Sequence, residues 1–408
     1  MNQQWKKNTI LFLASQTISL FGSSLVQYAM TWYITLETQS GAMMTIAILC
    51  GFLPTFILSP FAGVWADRYN RKLLIVLSDS FIALVTLILA ILFYLGYESV
   101  WLLFVAMALR AVGSGIQMPA VNAFLPQWVP EDKLTKVNAT NGSIQSLVTL
   151  VSPMLSGALL STATIESIFF IDVGTAAITV VIMLLFLRVP AHEKSLSRAS
   201  TTYFSDLKEG FQYILNHSFV RNLCLFNIFF FILAAPVAFL TPLQVTRRFG
   251  NDVWRLTAIE IAFSVGMMLG GIAMASWQGF RNKVHTMSLS IFIIGAGTFV
   301  LGIMPNFWPY LAFMGIIGVA MPIFHTPVTV LLQQKVEGDF LGRVFGVLTM
   351  LSTSMMPLGM LIFGPMADYV AIEWMLVATG TLLILQGLLM FTNKALVREG
   401  EPQETPEI

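Results

Sequence analysis

Charged residues are scarce in this 408-residue sequence, which has 11% Asp, Glu, Lys and Arg against 56% hydrophobic residues. A soluble domain has about 25% charged residues, so this deficit excludes an ordinary soluble globule. The 22 basic and 21 acidic residues nearly balance, which leaves no net charge to attract nucleic acid. The composition therefore predicts a protein that crosses a membrane several times and does not bind nucleic acid.

Cysteine and histidine are also rare. The two cysteines, Cys50 and Cys224, each lie inside an apolar run, which predicts neither a disulfide nor a metal site. The four histidines form no H-x-x-x-H pair, and no acid-rich loop accompanies them, so a membrane-embedded enzyme lacks its usual groups. A channel is disfavoured because no re-entrant filter segment or ring of charges is visible.

The sequence also lacks the G-x-x-x-x-G-K-[ST] loop of P-loop ATPases. Energy for any transport must therefore come from an ion gradient or from the substrate's own gradient. We expect no cofactor.

Long apolar runs are what the sequence has instead. Runs of about 20 residues, the length that crosses a bilayer as a helix, recur twelve times. They lie at 9–36, 43–66, 73–95, 100–124, 136–161, 166–188, 219–245, 255–277, 285–304, 308–332, 344–369 and 373–392. The predicted fold is an all-α membrane protein with twelve transmembrane helices in two six-helix bundles, 1–189 and 218–394.

The segment 190–217 between the bundles is polar at first. Its second part repeats apolar residues at helical spacing: Phe204, Leu207, Phe211 and then Ile214 or Leu215. We predict a cytoplasmic linker that ends in a short amphipathic helix at the membrane interface, with a solvated connector as the alternative. The tail, 395–408, has no apolar face and is predicted to be disordered.

Lysine and arginine are distributed unevenly around the predicted spans. With the N-terminus placed inside, eighteen of them fall on one side, only Arg247, Arg248 and Arg255 fall on the other, and Arg110 is inside a span. Basic residues concentrate in cytoplasmic loops, so both termini are predicted to be cytoplasmic.

The first six spans and the last six spans show sequence similarity to each other. The stretch MPAVNAFLPQWVPEDKLTKV at 118–137 resembles TPVTVLLQQKVEGDFLGRV at 326–344, and both end in Leu-x-Lys/Arg-Val at the start of the next helix. Because the two stretches also occupy corresponding places, we predict a repeat of two halves in the same orientation.

Five ionisable residues stand out within the predicted spans: Asp79, Arg110, Asp172, Glu260 and His325. A charge in mid-membrane costs a few kcal/mol, so each is a functional candidate that faces the bundle interior. Burial favours the neutral carboxyl, so Asp172 or Glu260 could bind a proton from outside and release it inside. Arg110 is predicted to act as counter-ion to an acid or as a fixed positive charge.

Structural roles are the alternatives at two of these positions. Asp79 is close along the chain to Arg71 and Lys72 and is expected to be their structural partner. His325, beside Pro327, is equally compatible with a site residue and with a hydrogen-bonded residue at a helix kink.

A charged stretch, GVWADRYNRK, joins the second and third spans. Its charges can pair with backbone or side chains at a helix junction, and its first glycine would let a neighbouring helix approach closely. A basic loop that only anchors two helices is the alternative. The residues that fit the pattern G-x-x-x-D-R-x-x-R-K are Gly63, Asp67, Arg68, Arg71 and Lys72.

This pattern resembles the loop between the second and third transmembrane helices of the major facilitator superfamily, a large class of secondary transporters. Asn70 stands where that family usually has glycine, a departure that a turn tolerates because Asn can adopt positive φ. Other stretches resemble the macrolide-efflux branch of the drug:proton antiporters in that superfamily. They are SGAMMTIAILCGFLP (40–54), VPEDKLTKVNA (129–139), SIQSLVTLVSPMLSGALL (143–160), FIDVG (170–174) and FLGRVFGVLTMLSTSMMPLG (340–359).

The resemblance implies a proton-coupled exporter of macrolide-like or other amphipathic drugs in the inner membrane of a bacterium, with two six-helix halves that rock to alternate access. Siderophores or lipids are the alternative cargo. It also implies a cytoplasmic latch in which Gly63, Asp67 and the three cations after them dock near Arg343. Arg343 itself is expected to be a structural charge partner. The expected partners are the lipid bilayer, protons and a small amphipathic substrate, and the chain is expected to function as a monomer, either alone or with an ATP-binding partner chain.

Overall fold

The computed structural model of the chain describes residues 4–187 and 203–401. Within these ranges every regular element is a helix and no β-strand occurs. Twelve helices of the described residues are long and apolar enough to cross a membrane, six before residue 188 and six after residue 202. The predicted all-α fold with twelve transmembrane helices is confirmed.

The first six spans are formed by six long helices. They are α1 (Gln4–Thr38), α2 (Gly41–Arg68), α3 (Arg71–Tyr94), α4 (Val100–Phe124), α5 (Glu131–Thr162) and α6 (Ile165–Val181), and α6 continues in a π-helical turn at Ile182–Phe186. Asn70 lies in the turn before α3. Asn70 has φ −64° and its side chain accepts a hydrogen bond from the Leu73 amide, so this residue caps the helix and has no positive φ.

Nine helices form the rest of the described chain. They are α7 (Tyr203–Asn216), α8 (Ser218–Phe239), α9 (Thr241–Phe249), α10 (Val253–Trp277), α11 (Lys283–Ile303), α12 (Phe307–Lys335), α13 (Gly338–Met366), α14 (Ile372–Thr392) and α15 (Lys394–Glu399). The predicted seventh span is divided between α8 and α9. Pro242 has no N–H to donate to the preceding turn, and it lies in the first turn of α9, where this loss is tolerated.

The predicted linker helix is present as α7. Gly210, Tyr213 and Ile214 are buried, and α7 packs against α13, whereas Phe211 and Leu215 are exposed. One face of α7 is therefore held by the protein and another is free to meet the membrane interface. The first part of the predicted linker, 190–202, and the Phe204 side chain lie outside the described residues.

The prediction of a disordered tail is wrong at its start, because α15 is helical at Lys394–Glu399. Leu396 is buried, and Lys335 forms an ion pair of 3.0 Å with Glu399. The Asn282 amide also donates to the Val397 carbonyl at 2.7 Å. Lys335 and Asn282 lie far from α15 in sequence. The residues of α15 alone therefore do not indicate that this short helix forms. Residues 402–408 lie outside the described chain.

The chain divides into two compact units. The first comprises Met1–Glu37 and Ile46–Ala199, and the second comprises Thr38–Thr45 and Ser200–Ile408. The start of α2 thus groups with the helices of the second unit.

Asp368, just after α13, holds the start of α2 within the second unit. Its carboxylate accepts hydrogen bonds from the Ser40 hydroxyl at 2.8 Å and from the Gly41 and Ala42 amides at 2.7 and 3.1 Å. Arg247 pairs with the same carboxylate at 3.3 Å. An acid at the N-terminus of a helix satisfies amides that have no partner within the helix.

Helices α10 and α12 touch through their backbones. A Cβ atom on Gly270 would lie 2.2 Å from the Val319 carbonyl oxygen, and one on Gly266 would lie 2.2 Å from the Gly315 oxygen. Only glycine permits the two helix backbones to lie this close together. Contact through small residues is a common way for transmembrane helices to associate.

Candidate functional site

Helix α4 carries Arg110 into the interior of the first unit. Three and five residues later, Gly113 and Gly115 remove the side chains that would hold the neighbouring helices away. A Cβ atom on Gly113 would lie 2.5 Å from Ile82 of α3, and one on Gly115 would lie 3.1 Å from the Thr55 backbone of α2. This close packing buries Arg110.

Arg110 forms an ion pair with Asp172 of α6. Its Nη1 lies 2.5 Å from Asp172 Oδ2, and both side chains are almost fully buried. A buried ion of either sign is costly unless it is paired and hydrogen-bonded. Of the two roles open to Arg110 from the sequence, the structure supports counter-ion to an acid.

Two hydroxyl groups complete this pair. Arg110 also donates to the Thr86 hydroxyl of α3, which lies 3.1 Å from Asp172 Oδ2. The Ser23 hydroxyl of α1 donates to Asp172 Oδ1 at 3.3 Å. Four helices, α1, α3, α4 and α6, thus supply one buried polar cluster.

A second buried cluster surrounds Asp79 of α3. Asp79 Oδ1 accepts from the Ser19 hydroxyl at 2.8 Å and from the Gln117 amide at 2.6 Å. Its Oδ2 is buried and has no hydrogen-bond partner among the described residues. The expectation that Asp79 pairs with Arg71 and Lys72 is wrong, because those cations bind helix-end carbonyls, as described below.

The two clusters share three helices, and sequence spacing explains why. Asp79 and Thr86 lie seven residues apart on α3, as do Arg110 and Gln117 on α4. Seven residues are close to two helical turns, about 10 Å, so each helix presents both groups on one face. On α1 the partners Ser19 and Ser23 lie one turn apart.

A cavity of about 310 Å³ borders both clusters. Eleven of its fifteen lining residues carry a hydroxyl or amide group, although it lies among membrane-spanning helices. Ser19, Ser23 and Gln117 belong to its wall and also bind the buried carboxylates. The remaining polar wall includes Gln16, Asn122, Asn141 and Gln145.

Sequence reasoning missed these neutral partners. Ser19, Ser23, Thr86 and Gln117 are ordinary residues in a membrane helix, and each one alone carries no signal. Their spacing of four or seven residues, in step with Asp79 and Arg110, is the pattern that could have identified them.

Glu260 and His325 lie in the second unit, on α10 and α12. Glu260 is half-buried and has no hydrogen bond or ion pair within the described part of the chain. His325 is exposed, with its ring 5.9 Å from that of Phe231 and 5.3 Å from that of Phe324, and its ring nitrogens bond no described group. The hydrogen-bonded kink role of His325 is not found.

Two cations of the charged loop bind the ends of helices. Arg71 donates to the Ala66 carbonyl at 2.8 Å and to the Ala123 carbonyl at 2.7 Å, near the C-termini of α2 and α4. Lys72 donates to the Leu187 carbonyl at 2.8 Å, after the π-helical turn. The last carbonyls of a helix lack intrahelical partners and favour positive charge, so these residues tie helix ends together.

The other loop residues differ in what the structure shows. Arg68 is exposed. Among the described residues, a Cβ atom on Gly63 would meet nothing within 4 Å, so the predicted close approach of a helix at this glycine is not found there. The Asp67 side chain lies outside what the structure describes, and the latch stays a prediction.

Arg343, at the start of α13, has a partner in the linker helix. It forms an ion pair of 3.0 Å with Glu209 of α7, and its guanidinium lies over the Phe340 ring at 5.5 Å. The expected role as a structural charge partner thus involves α7, which the sequence did not indicate.

Comparison with known proteins identifies relatives along nearly the whole chain. The model of the Major Facilitator Superfamily matches residues 12–360. Macrolide efflux protein A of Streptococcus pyogenes is 28% identical over 382 residues, which cover 93% of this chain and 94% of the relative. The Staphyloferrin A transporter of Staphylococcus aureus is 22% identical over 365 residues, which cover 88% and 89%.

Solved structures show the same fold. The crystal structure of the nucleoside transporter NupG has a TM-score of 0.68 at 15% identity, covering 97% of this chain and 100% of that one. The twelve spans and the bacterial relatives indicate a protein of a bacterial cell membrane. With a family match over most of its length, this chain belongs to the Major Facilitator Superfamily and is a membrane transporter rather than an enzyme.

Proposed function

We propose that this transporter exports macrolide-like or other amphipathic drugs and is driven by the proton gradient, with its two six-helix halves alternating access to the two sides of the membrane. The observation that carries the proposal is the polar cavity among apolar helices, whose wall residues Ser19, Ser23 and Gln117 bind two buried carboxylates. Water in such a cavity can deliver a proton to a group that is otherwise buried.

The carboxyl groups differ in how well they suit proton transfer. Asp172 already has a partner, because it forms an ion pair with Arg110. Asp79 has one oxygen without a partner, and Glu260 has no cation beside it among the described residues. We infer that Asp79 or Glu260 carries the proton and that the Arg110–Asp172 pair holds together the helices that form the cavity beside Asp79.

The relatives support the class of substrate. The name of the relative from Streptococcus pyogenes states efflux of a macrolide. A cavity with hydroxyl and amide walls offers many donors and acceptors to a large polar-apolar molecule, and a buried acid would attract a cationic one.

The test is macrolide accumulation in cells with and without this protein, each with and without a proton uncoupler. We expect expression to lower accumulation and the uncoupler to restore it. Unchanged accumulation on expression would contradict macrolide export. Low accumulation that persists with the uncoupler would contradict proton coupling.

The same assay identifies the proton carrier through Asp79→Asn and Glu260→Gln. The variant that removes the carrier is expected to lose uncoupler-sensitive export. Asp132→Asn, which alters a largely exposed acid beside Lys133, is the matched control and should export normally. Wild-type coupling in both test variants would remove this assignment.

A second candidate is siderophore export, favoured by the similarity to the Staphyloferrin A transporter. If macrolide accumulation does not change, siderophore release from the same cells is the next measurement. Lipid export in the same fold is the further alternative.

A further inference from the structure

A groove of about 710 Å³ lies between α11 and α14, apart from the clusters described above. Its volume is within the range of about 300–1,000 Å³ that is usual for small-molecule sites. At its floor the two helices touch, where the Ser288 hydroxyl donates to the Gly387 carbonyl at 2.6 Å. The groove belongs entirely to the second unit.

One end of the groove is cationic and polar. Arg281 lies there, exposed, with no hydrogen bond or ion pair to any described residue. His285 lines the same end, its ring 4.8 Å from that of Phe391, and its ring nitrogens also bond no described group. Asn282 is different, because its side chain already binds Val284 and Val397. Two donors are thus left to bind an anion.

The rest of the groove is apolar and open. Leu289 and Phe292 of α11 face Leu388 and Phe391 of α14 across it, and all four side chains are exposed, from 37% to 54%. These residues belong to two membrane-spanning helices. His285 and Phe292 are two turns apart on α11, so the polar end and the apolar wall are separated along the helix by about 10 Å.

We propose that this groove binds an anionic phospholipid, with its phosphate on Arg281 and His285 and one acyl chain against Leu289, Phe292 and Leu388. The reason is charge complementarity at one end combined with an apolar channel along the membrane-spanning helices. Basic pockets between transmembrane helices at the membrane surface are suited to such headgroups. A zwitterionic lipid would bring its own cation beside Arg281, so the site favours a headgroup with net negative charge.

The test is native mass spectrometry of the purified full chain in detergent, with an equimolar mixture of phosphatidylglycerol and phosphatidylcholine of the same acyl chains. We expect wild-type protein to retain phosphatidylglycerol preferentially. Arg281→Gln should reduce that preference about fivefold, the effect of one basic group near a membrane surface. Arg221→Gln, which removes an exposed arginine outside the groove, is the matched control and should keep the wild-type preference for phosphatidylglycerol.

Two further arms separate a lipid from other occupants. Leu289→Trp fills the apolar part without changing the charges, and we expect it to weaken phosphatidylglycerol retention while thermal unfolding shows the variant to be folded. Soluble glycerol phosphate, which has no acyl chain, should not displace the lipid. Displacement by glycerol phosphate would instead indicate a site for a free phosphate, and equal retention of both lipids by wild type would indicate nonspecific lipid. Either result overturns the proposal, as would unchanged retention in Arg281→Gln.

Discussion

At the scale of single residues, the Arg110–Asp172 pair is the clearest feature of the first unit. Four helices contribute to it, so it joins α1, α3, α4 and α6 in a region where water is scarce. The two charges are far more costly alone than together, because an unpaired buried ion loses its hydration without compensation. The pair can therefore be tested separately for stability and for transport.

Arg110→Gln should destabilise the protein by about 3–5 kcal/mol, because it leaves Asp172 buried without its cation. The double variant Arg110→Gln with Asp172→Asn removes both charges and should recover most of that stability. Thermal unfolding in detergent measures both effects.

Transport separates a functional from a structural role for the same pair. If the pair organises the site, we expect the double variant to fold but not to transport. Cells that express it should then accumulate as much drug as cells without the protein. Normal export by the double variant would show that the two residues serve packing alone.

A second residue of interest is Asp368, outside the spans. Partial burial by itself raises the pKa of its carboxyl, but hydrogen bonds from Ser40, Ala42 and Gly41, together with the nearby Arg247, outweigh this and lower the pKa below its ordinary value. A carboxyl with a lowered pKa in the folded state stabilises that state above the unfolded pKa, and the contribution is lost as the pH falls through the lowered value.

Asp368→Asn should therefore lower the free energy of unfolding at neutral pH by about 1 kcal/mol. The expected loss is small because the carboxylate is partly exposed to solvent. The difference from wild type should stay constant down to about pH 4 and shrink only below it. Unfolding measured across this pH range is the test, with Asp252→Asn, an exposed acid paired only with Arg255, as control. A difference that does not change with pH would contradict the ionic role of Asp368.

At the scale of elements, the contact between α10 and α12 depends on glycine. Gly270 lies against the Val319 carbonyl, whereas a Cβ atom on its neighbour Gly271 would meet nothing within 4 Å. The same contact sets the position of α10, which carries Glu260. Two adjacent glycines thus provide a matched comparison on one helix.

Gly270→Ala should destabilise the protein by about 1–3 kcal/mol, because the new methyl group collides with backbone that cannot rotate away. Gly271→Ala should be neutral or slightly stabilising, since alanine favours a helix by about 1 kcal/mol over glycine. Thermal unfolding of both variants is the measurement. Equal effects at the two positions would show that the helices can separate without cost.

At the scale of the whole molecule, the distribution of basic residues predicts which loops face the cytoplasm. Lys133 is in the predicted cytoplasmic set, and Asp252 lies beside the three arginines of the opposite set. Both side chains are at least half exposed, so both are accessible to a labelling reagent. The sequence has only two cysteines, which simplifies such an experiment.

In a variant with Cys50 and Cys224 replaced by alanine, Asp252→Cys should react with a membrane-impermeant maleimide in intact cells. Lys133→Cys should react only after the cells are permeabilised. The reverse pattern would show that the predicted orientation is inverted.

Much of the fold could be predicted because its signals are local. Run length and hydropathy identify a span within its own 20 or so residues. Prediction failed where the deciding contact is distant. The helix α15 forms because Leu396 is buried and Asn282 binds its backbone, and neither fact is visible in the polar tail.

In the candidate site, too, local features could be predicted and distant contacts could not. Charge alone identifies Asp79, Arg110 and Asp172 as candidates, but closeness along the chain predicts the wrong partners for Asp79, namely Arg71 and Lys72. Arg71 and Lys72 instead bind carbonyls at helix ends, which every helix exposes and no sequence pattern marks. Ser19 and Gln117, the actual partners of Asp79, are neutral and come from other helices.

The sequence by itself determined the twelve spans and the few charges within them, because the cost of placing a residue in hydrocarbon depends on that residue and its immediate neighbours. Only the tertiary structure decided which charges meet. Arg110 and Asp172 are 62 positions apart and pair because glycine-mediated packing of α4 and the surrounding helices brings them together, which is a property of shape that no single stretch of the chain contains.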